Sequence, residues 1–126
     1  MNLELEKRMV LLISILDLNG KGTKKRVLDN IEKKQFYKIN NYDQQTMSNR
    51  DEEVWRNDLA FIRHHLVLGK YLDASKRDNW EITQKGRIYF QSLVNEFLVT
   101  RNFYKLTNVA IDRIKELTRQ VNGPCS

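Results

Sequence analysis

The 126 residues predict a mainly helical α+β domain, a winged helix-turn-helix with a small antiparallel β-ribbon wing and an extra C-terminal helix. Three observations predict it. Trp55, Leu59, Ile62 and Leu66 recur at four, three and four residues, the spacing of one helical face, within a helix over residues 51 to 68. Two short extended runs follow, Tyr71-Leu72 and Trp80-Glu81-Ile82, with the polar, basic stretch Ala74-Ser75-Lys76-Arg77-Asp78-Asn79 between them. Thr83 then closes the second run and opens another helix. A helix followed by a basic two-stranded ribbon is the arrangement of a DNA-reading unit.

Each element can be justified in turn. Leu5, Met9, Leu12 and Leu16, with Ile13 beside them, share a face of a first helix over residues 3 to 18. Asn19-Gly20-Lys21-Gly22 ends it as a turn. The Gly-Lys-Gly-Thr run is no phosphate loop, because the G-x-x-x-x-G-K-[ST] spacing and a preceding strand are both missing. Thr23 caps a second helix to about Lys34, with Val27, Leu28 and Ile31 facing inward. Seven bases lie from Lys21 to Lys38 against Asp29 and Glu32, which suits either a solvated face or contact with phosphates.

Residues 35 to 48 read as a long polar connection, ordered in part by Phe36, Tyr37 and Met47 packing back. At the head of the central helix Asn49 can accept from the first free amides, while Asp51, Glu52 and Glu53 suit the positive end of the dipole. Gly69 is placed as the left-handed residue that stops that helix. Beyond Thr83, Tyr89 or Phe90, Leu93 and Phe97 make the next apolar side. Thr107 or Asn108 caps a last helix to about Val121, whose stripe of Ala110, Ile114, Leu117 and Val121 packs either on the domain's own core or on a second copy. The expected organisation is a winged-helix domain over 1–105 and a C-terminal helix over 106–126.

Composition narrows the function classes. A net charge of +6 and a pI near 9.5 favour a polyanionic partner such as double-stranded DNA. Lone Cys125 offers neither a disulfide framework nor a cysteine metal site. No run approaches the roughly 18 apolar residues of a membrane span, and MNLELEKRMVLLISIL lacks the pattern of a secretory signal, so a cytoplasmic, nucleoid-associated location is expected. His64 and His65 are adjacent and point about 100° apart on a helix, with Leu68 and Gly69 where a third metal ligand would stand. No nucleophile motif frames a Ser or Cys, and Asp78, Glu81 and Lys85 are locally misarranged for a nuclease cluster. No cofactor, metal or catalytic residue is expected, and the chain reads as a non-enzyme.

The candidate site is the outer face of the central helix and the wing. Burying Trp55, Leu59, Ile62 and Leu66 turns Asn57, Ala60 and His64 away from the core, with Arg50 in line at the start. Arg suits guanine and Asn suits adenine in the major groove, and small Ala60 lets the backbone approach. Lys24, Lys25, Arg56, Arg63, Lys76 and Arg77 are the candidate phosphate contacts. The alternative for each is an ordinary solvated face or hairpin tip.

The order W-R-x-x-L-x-x-I, L-G-K-Y-L, K-R-D-N-W-E-I-T-Q-K-G-R resembles the amino-terminal winged-helix domain of Mrr-type restriction endonucleases. Trp55, Leu59, Gly69, Leu72, Lys76, Arg77, Trp80, Ile82, Thr83 and Gly86 carry the resemblance, which spans about residues 5 to 97 and is specific over 55 to 87. It implies a DNA-targeting module of a restriction system, in some cases one directed at methylated cytosine, with a nuclease domain or subunit as a partner. Two other readings share the fold: a small dimeric transcriptional regulator, and a winged helix used for protein contacts.

Overall fold

The computed structural model describes residues 3–46, 51–100 and 103–122. Its elements run α1 (Leu3–Asp17), β1 (Lys21–Gly22), α2 (Lys24–Lys34), α3 (Val54–Leu68), β2 (Leu72–Asp73), β3 (Trp80–Ile82), α4 (Gln84–Thr100) and α5 (Asn108–Asn122). The strands form an antiparallel sheet in the order β1-β3-β2. This is a winged-helix-like α+β fold with an added helix at its C-terminal end.

Helix α1 is the axis of the core. Every residue from Met9 to Leu16 is buried, and α2, α3, α4, α5 and the sheet all pack on it. A helix that is apolar all round belongs inside, so the single face expected from Leu5, Met9, Leu12 and Leu16 understates its burial. Its one buried hydroxyl is satisfied: Ser14 Oγ donates to the Val27 carbonyl at 2.8 Å and accepts from Asn30 Nδ2 at 3.1 Å.

The expected turn at Asn19–Gly22 contains a strand. Asn19 and Gly20 both adopt positive φ (68° and 102°), which reverses the chain and lays Lys21 opposite Glu81 and Gly22 opposite Trp80. The wing therefore has a three-stranded root rather than a two-stranded one. Two residues are too few to show a period, so only the pairing with β3 reveals them.

Helix α2 has the expected bounds, with Thr23 Oγ1 accepting from the Arg26 amide at 3.1 Å. Helix α3 starts later than expected, at Val54 with Glu53 as a cap that makes no side-chain bond, and Asn49 lies outside the described residues. Its first amides donate instead to backbone: Val54 to the Gln45 carbonyl at 2.8 Å and Trp55 to that of Asp43 at 3.1 Å. The polar connection thus caps α3, and Phe36, Tyr37 and Asp43 are buried in doing so. Met47 lies outside the described residues.

The stop of α3 also differs. Gly69 is right-handed (φ −80°), and the left-handed residue is Lys70 (φ 65°). Glycine is needed at 69 for space, because a Cβ there would lie 2.6 Å from Cε2 of Tyr71. Tyr71 in turn stacks on Tyr89 of α4, with ring centroids 3.9 Å apart. The Thr-x-x-Gly that follows β3 is a joint between strand and helix. Thr83 Oγ1 accepts from the Gly86 amide at 2.9 Å and donates to the Lys70 carbonyl at 2.7 Å. A Cβ on Gly86 would stand 2.1 Å from the Tyr71 carbonyl oxygen.

Trp55 and Trp80 are both buried, as are Phe90, Leu93, Val94 and Phe97 of α4. Ala110, Ile114 and Leu117 of α5 are buried in the same core, against α1. Two carboxylates of α1 fasten this last helix. Glu6, buried, accepts from the amides of Tyr104, Lys105 and Leu106 at 2.8–3.1 Å. Asp17 binds Arg113 Nε at 2.6 Å and Lys34 Nζ at 2.6 Å. Burial alone would raise Asp17, but hydrogen bonds from Lys34, Asn30 and Arg113 outweigh it and hold the carboxyl below the ordinary aspartate range.

Candidate nucleic-acid interface

Helix α3 is held by its buried stripe and by both flanks, which fixes what its outer face presents. On one flank Arg56 reaches Asp29 at 2.9 Å, Glu32 at 2.8 Å and Glu53 at 3.6 Å, and its guanidinium lies 4.7 Å from the Trp55 ring centroid. On the other, Lys7 approaches Asp58 at 3.8 Å, and His65 approaches Glu4 at 3.9 Å. The remaining face carries Asn57 and Ala60, both half-buried, and Phe61, His64 and Leu68, all exposed. Ala60 also packs against the core, and Asn57 has an interaction within the protein. Arg50 lies outside the described residues.

The sequence reading named only the polar and small residues of this face. Phe61 is 63% exposed and Leu68 is 68% exposed, so the outer ridge is more apolar than the reading allowed. Both were legible in principle, since they lie seven apart and off the Trp55/Leu59/Ile62/Leu66 stripe.

The candidate cations divide into engaged and available. Lys24 is doubly held: its Nζ meets Glu52 at 2.6 Å, and its amide donates to Asp78 Oδ1 at 3.0 Å. Lys25 pairs with Asp29 at 2.6 Å in an exposed i,i+4 contact, a type worth about 0.3–0.5 kcal/mol. Contacts with Lys25 and Arg56 keep the Asp29 carboxyl below its ordinary value. Arg63, by contrast, meets no carboxylate among the described residues. Its guanidinium lies 5.7 Å from the Trp80 ring centroid, and its Nε is buried without a hydrogen-bond partner.

The wing loop is short and braced from within. Asp73 accepts from the Ser75 amide at 3.1 Å and its hydroxyl at 2.7 Å, and these bonds, with Lys76 adding, lower the Asp73 carboxyl. Asp78 adopts φ 48°. Lys76 and Arg77 are exposed and form no ion pair among the described residues. The described surface thus carries an exposed helical ridge on α3 and an exposed basic loop between β2 and β3.

The family description that matches this chain is the Mrr N-terminal domain, over residues 6–92. The chain belongs to that family. The matched stretch of the Mrr N-terminal domain begins at Glu6 and reaches into α4, so it takes in α3, the wing and the Thr83–Gly86 joint, while α5 lies beyond it. Membership makes the chain a module of a restriction system, and the Mrr N-terminal domain is a separate module from that family's catalytic nuclease domain. No curated protein and no solved structure gives a significant match. Among the described residues no helix is long and apolar enough to cross a membrane, and no three His, Cys, Asp or Glu side chains gather to hold a metal ion.

Proposed function

We propose that this Mrr N-terminal domain is a non-catalytic, double-stranded DNA-binding specificity module, with α3 in the major groove and the wing loop on the adjacent backbone. The observation that carries the reading is the division of the cations. Arg56 and Lys24 form ion pairs with carboxylates of the domain itself, whereas Arg63, Lys76 and Arg77 form none among the described residues. Cations not paired with the domain's own carboxylates are what phosphate neutralisation requires. In this reading Arg63, Lys76 and Arg77 contact phosphates, and Lys25 joins them by giving up its exposed, weak pair with Asp29. Arg56 and Lys24 chiefly hold α2, α3 and the wing in register.

Base contacts come from the outer face of α3, where Asn57 and His64 can each donate or accept a hydrogen bond and Arg50 precedes them in sequence. A nuclease domain or subunit is the partner the family implies, and reading of methylated cytosine is the specificity it suggests. The test is anisotropy with duplex DNA over a salt series. Lys76→Ala/Arg77→Ala should weaken binding to all duplexes alike and make the slope of log K against log salt shallower by about two units. Unchanged affinity of that variant at low salt removes the wing from the interface. A matched pair of plain and 5-methylcytosine duplexes tests the methylation reading, and equal affinity for both refutes it.

A second reading has an observation of its own. Exposed Phe61 and Leu68 on α3 also suit a protein partner, as in winged helices used for assembly. Absence of salt-dependent duplex binding by the parent protein would favour it.

A further inference from the structure

We propose that Phe61 is a specificity-determining residue that reads the C5-methyl group of a pyrimidine in the major groove, an inference that rests on the DNA reading of α3. Phe61 stands 63% exposed on the same outer face as His64 and Leu68, flanked by small Ala60. One edge of the ring is covered: the His65 ring meets it edge to face, with centroids 4.9 Å apart at 71°, and His65 Nδ1 lies 3.9 Å from a Glu4 carboxylate oxygen of α1. A phenyl ring is thus held out from the helix at the place where bases would lie.

The chemistry of the groove limits what such a ring can meet. Guanine, adenine and cytosine offer hydrogen-bond donors and acceptors on their major-groove edges, and a phenyl ring against them would strip off water and return nothing. The one apolar group on these edges is the methyl at C5, carried by thymine and by 5-methylcytosine. A base step with a methyl under Phe61 is therefore favoured, and one without it is penalised.

The magnitude follows from the size of the group. Burying one methyl or methylene transfers about 0.8 kcal/mol, which is about a fourfold change in affinity. The experiment begins by selecting a preferred duplex from a random pool with the parent protein. Each thymine is then replaced by uracil, which removes the methyl alone, and each cytosine by 5-methylcytosine, which adds it. Affinities are measured for the parent, Phe61→Leu and Phe61→Ala.

At one or two positions the parent should lose about fourfold on thymine-to-uracil replacement or gain about fourfold on cytosine methylation. The arm that responds tells which base carries the methyl. Phe61→Ala should bring the paired duplexes to equal affinity, and Phe61→Leu should keep part of the difference. Lys76→Ala/Arg77→Ala serves as the control, weakening all duplexes while leaving the methyl ratio unchanged. Equal affinity of the parent for every methylated and unmethylated pair overturns the proposal while leaving the DNA reading intact. So does a loss in Phe61→Ala that is uniform across all duplexes. No binding to any duplex overturns both.

Discussion

Removing the carboxylate of Glu6 tests how α5 is fastened to the rest of the domain. Glu6 Oε1 accepts from Tyr104 at 3.0 Å, Lys105 at 2.8 Å and Leu106 at 3.1 Å, and Oε2 from Tyr104 again at 3.1 Å. One buried anion therefore satisfies three backbone donors in the turn before α5. Hydrogen bonds to charged groups contribute about 1.5–3 kcal/mol each. Tyr104 is exposed and its amide can turn to water, whereas Leu106 is buried and its amide cannot. Glu6→Ala should then cost about 3–5 kcal/mol, and Glu6→Gln about 1–2 kcal/mol, because the amide oxygen can still accept from Lys105 and Leu106. Urea denaturation gives both numbers, and hydrogen exchange at the Leu106 amide reports the local release. Glu4→Gln, at an exposed position of the same helix, should stay within about 0.5 kcal/mol. A Glu6→Ala protein within about 1 kcal/mol of its parent would show that packing of Ala110, Ile114 and Leu117 alone holds α5.

Three further outcomes follow from particular contacts. Gly86→Ala drives a methyl against the Tyr71 carbonyl oxygen at 2.1 Å, so about 1–3 kcal/mol of stability should be lost, read by denaturation; a neutral change would mean that the strand–helix joint slides freely. Arg56→Ala should destabilise by about 1–2 kcal/mol without altering the salt slope of DNA binding, while Arg63→Ala should flatten the slope by about one unit; an unchanged slope in Arg63→Ala, or an equally flattened one in Arg56→Ala, would refute the division of the cations. Asp17 titrates low in the folded protein, so its contribution is present above the ordinary aspartate value near pH 4 and is lost as pH falls through the depressed folded value. Asp17→Asn should flatten that acid limb of a stability–pH profile, and an unchanged limb would assign acid unfolding to other groups.

What was legible in the sequence is what local chemistry decides. The bounds of α2 follow from Thr23 and the loss of apolar period after Ile31, and the face of α3 from the spacing of Trp55 to Leu66. The Trp-x-Ile-Thr-x-x-Gly run was read as a motif, and its cause is visible only in space: Thr83 bonds the carbonyls of Lys70 and Tyr71, and Gly86 leaves room for that of Tyr71. What distant pairing decides stayed hidden. Strand β1 exists because of β3, and the head of α3 is capped by carbonyls of Asp43 and Gln45 rather than by a side chain of its own. In the candidate site, Arg56 and Lys24 have the same composition signal as Lys76 and Arg77. Nothing along the chain tells that Glu32 and Glu52 fold against the first two.

Asp78 gives the wing loop a peg. Its carboxylate seats on the Lys24 amide at the head of α2, and its left-handed backbone aims it there. A loop transplanted onto this scaffold to alter DNA preference would have to bring such a peg with it. Without one, the tip would swing independently of α2 and α3, and each complex would have to immobilise it anew. Positions 74, 76 and 77 can thus be exchanged, while Ser75, bound to Asp73, and Asp78 belong to the chassis.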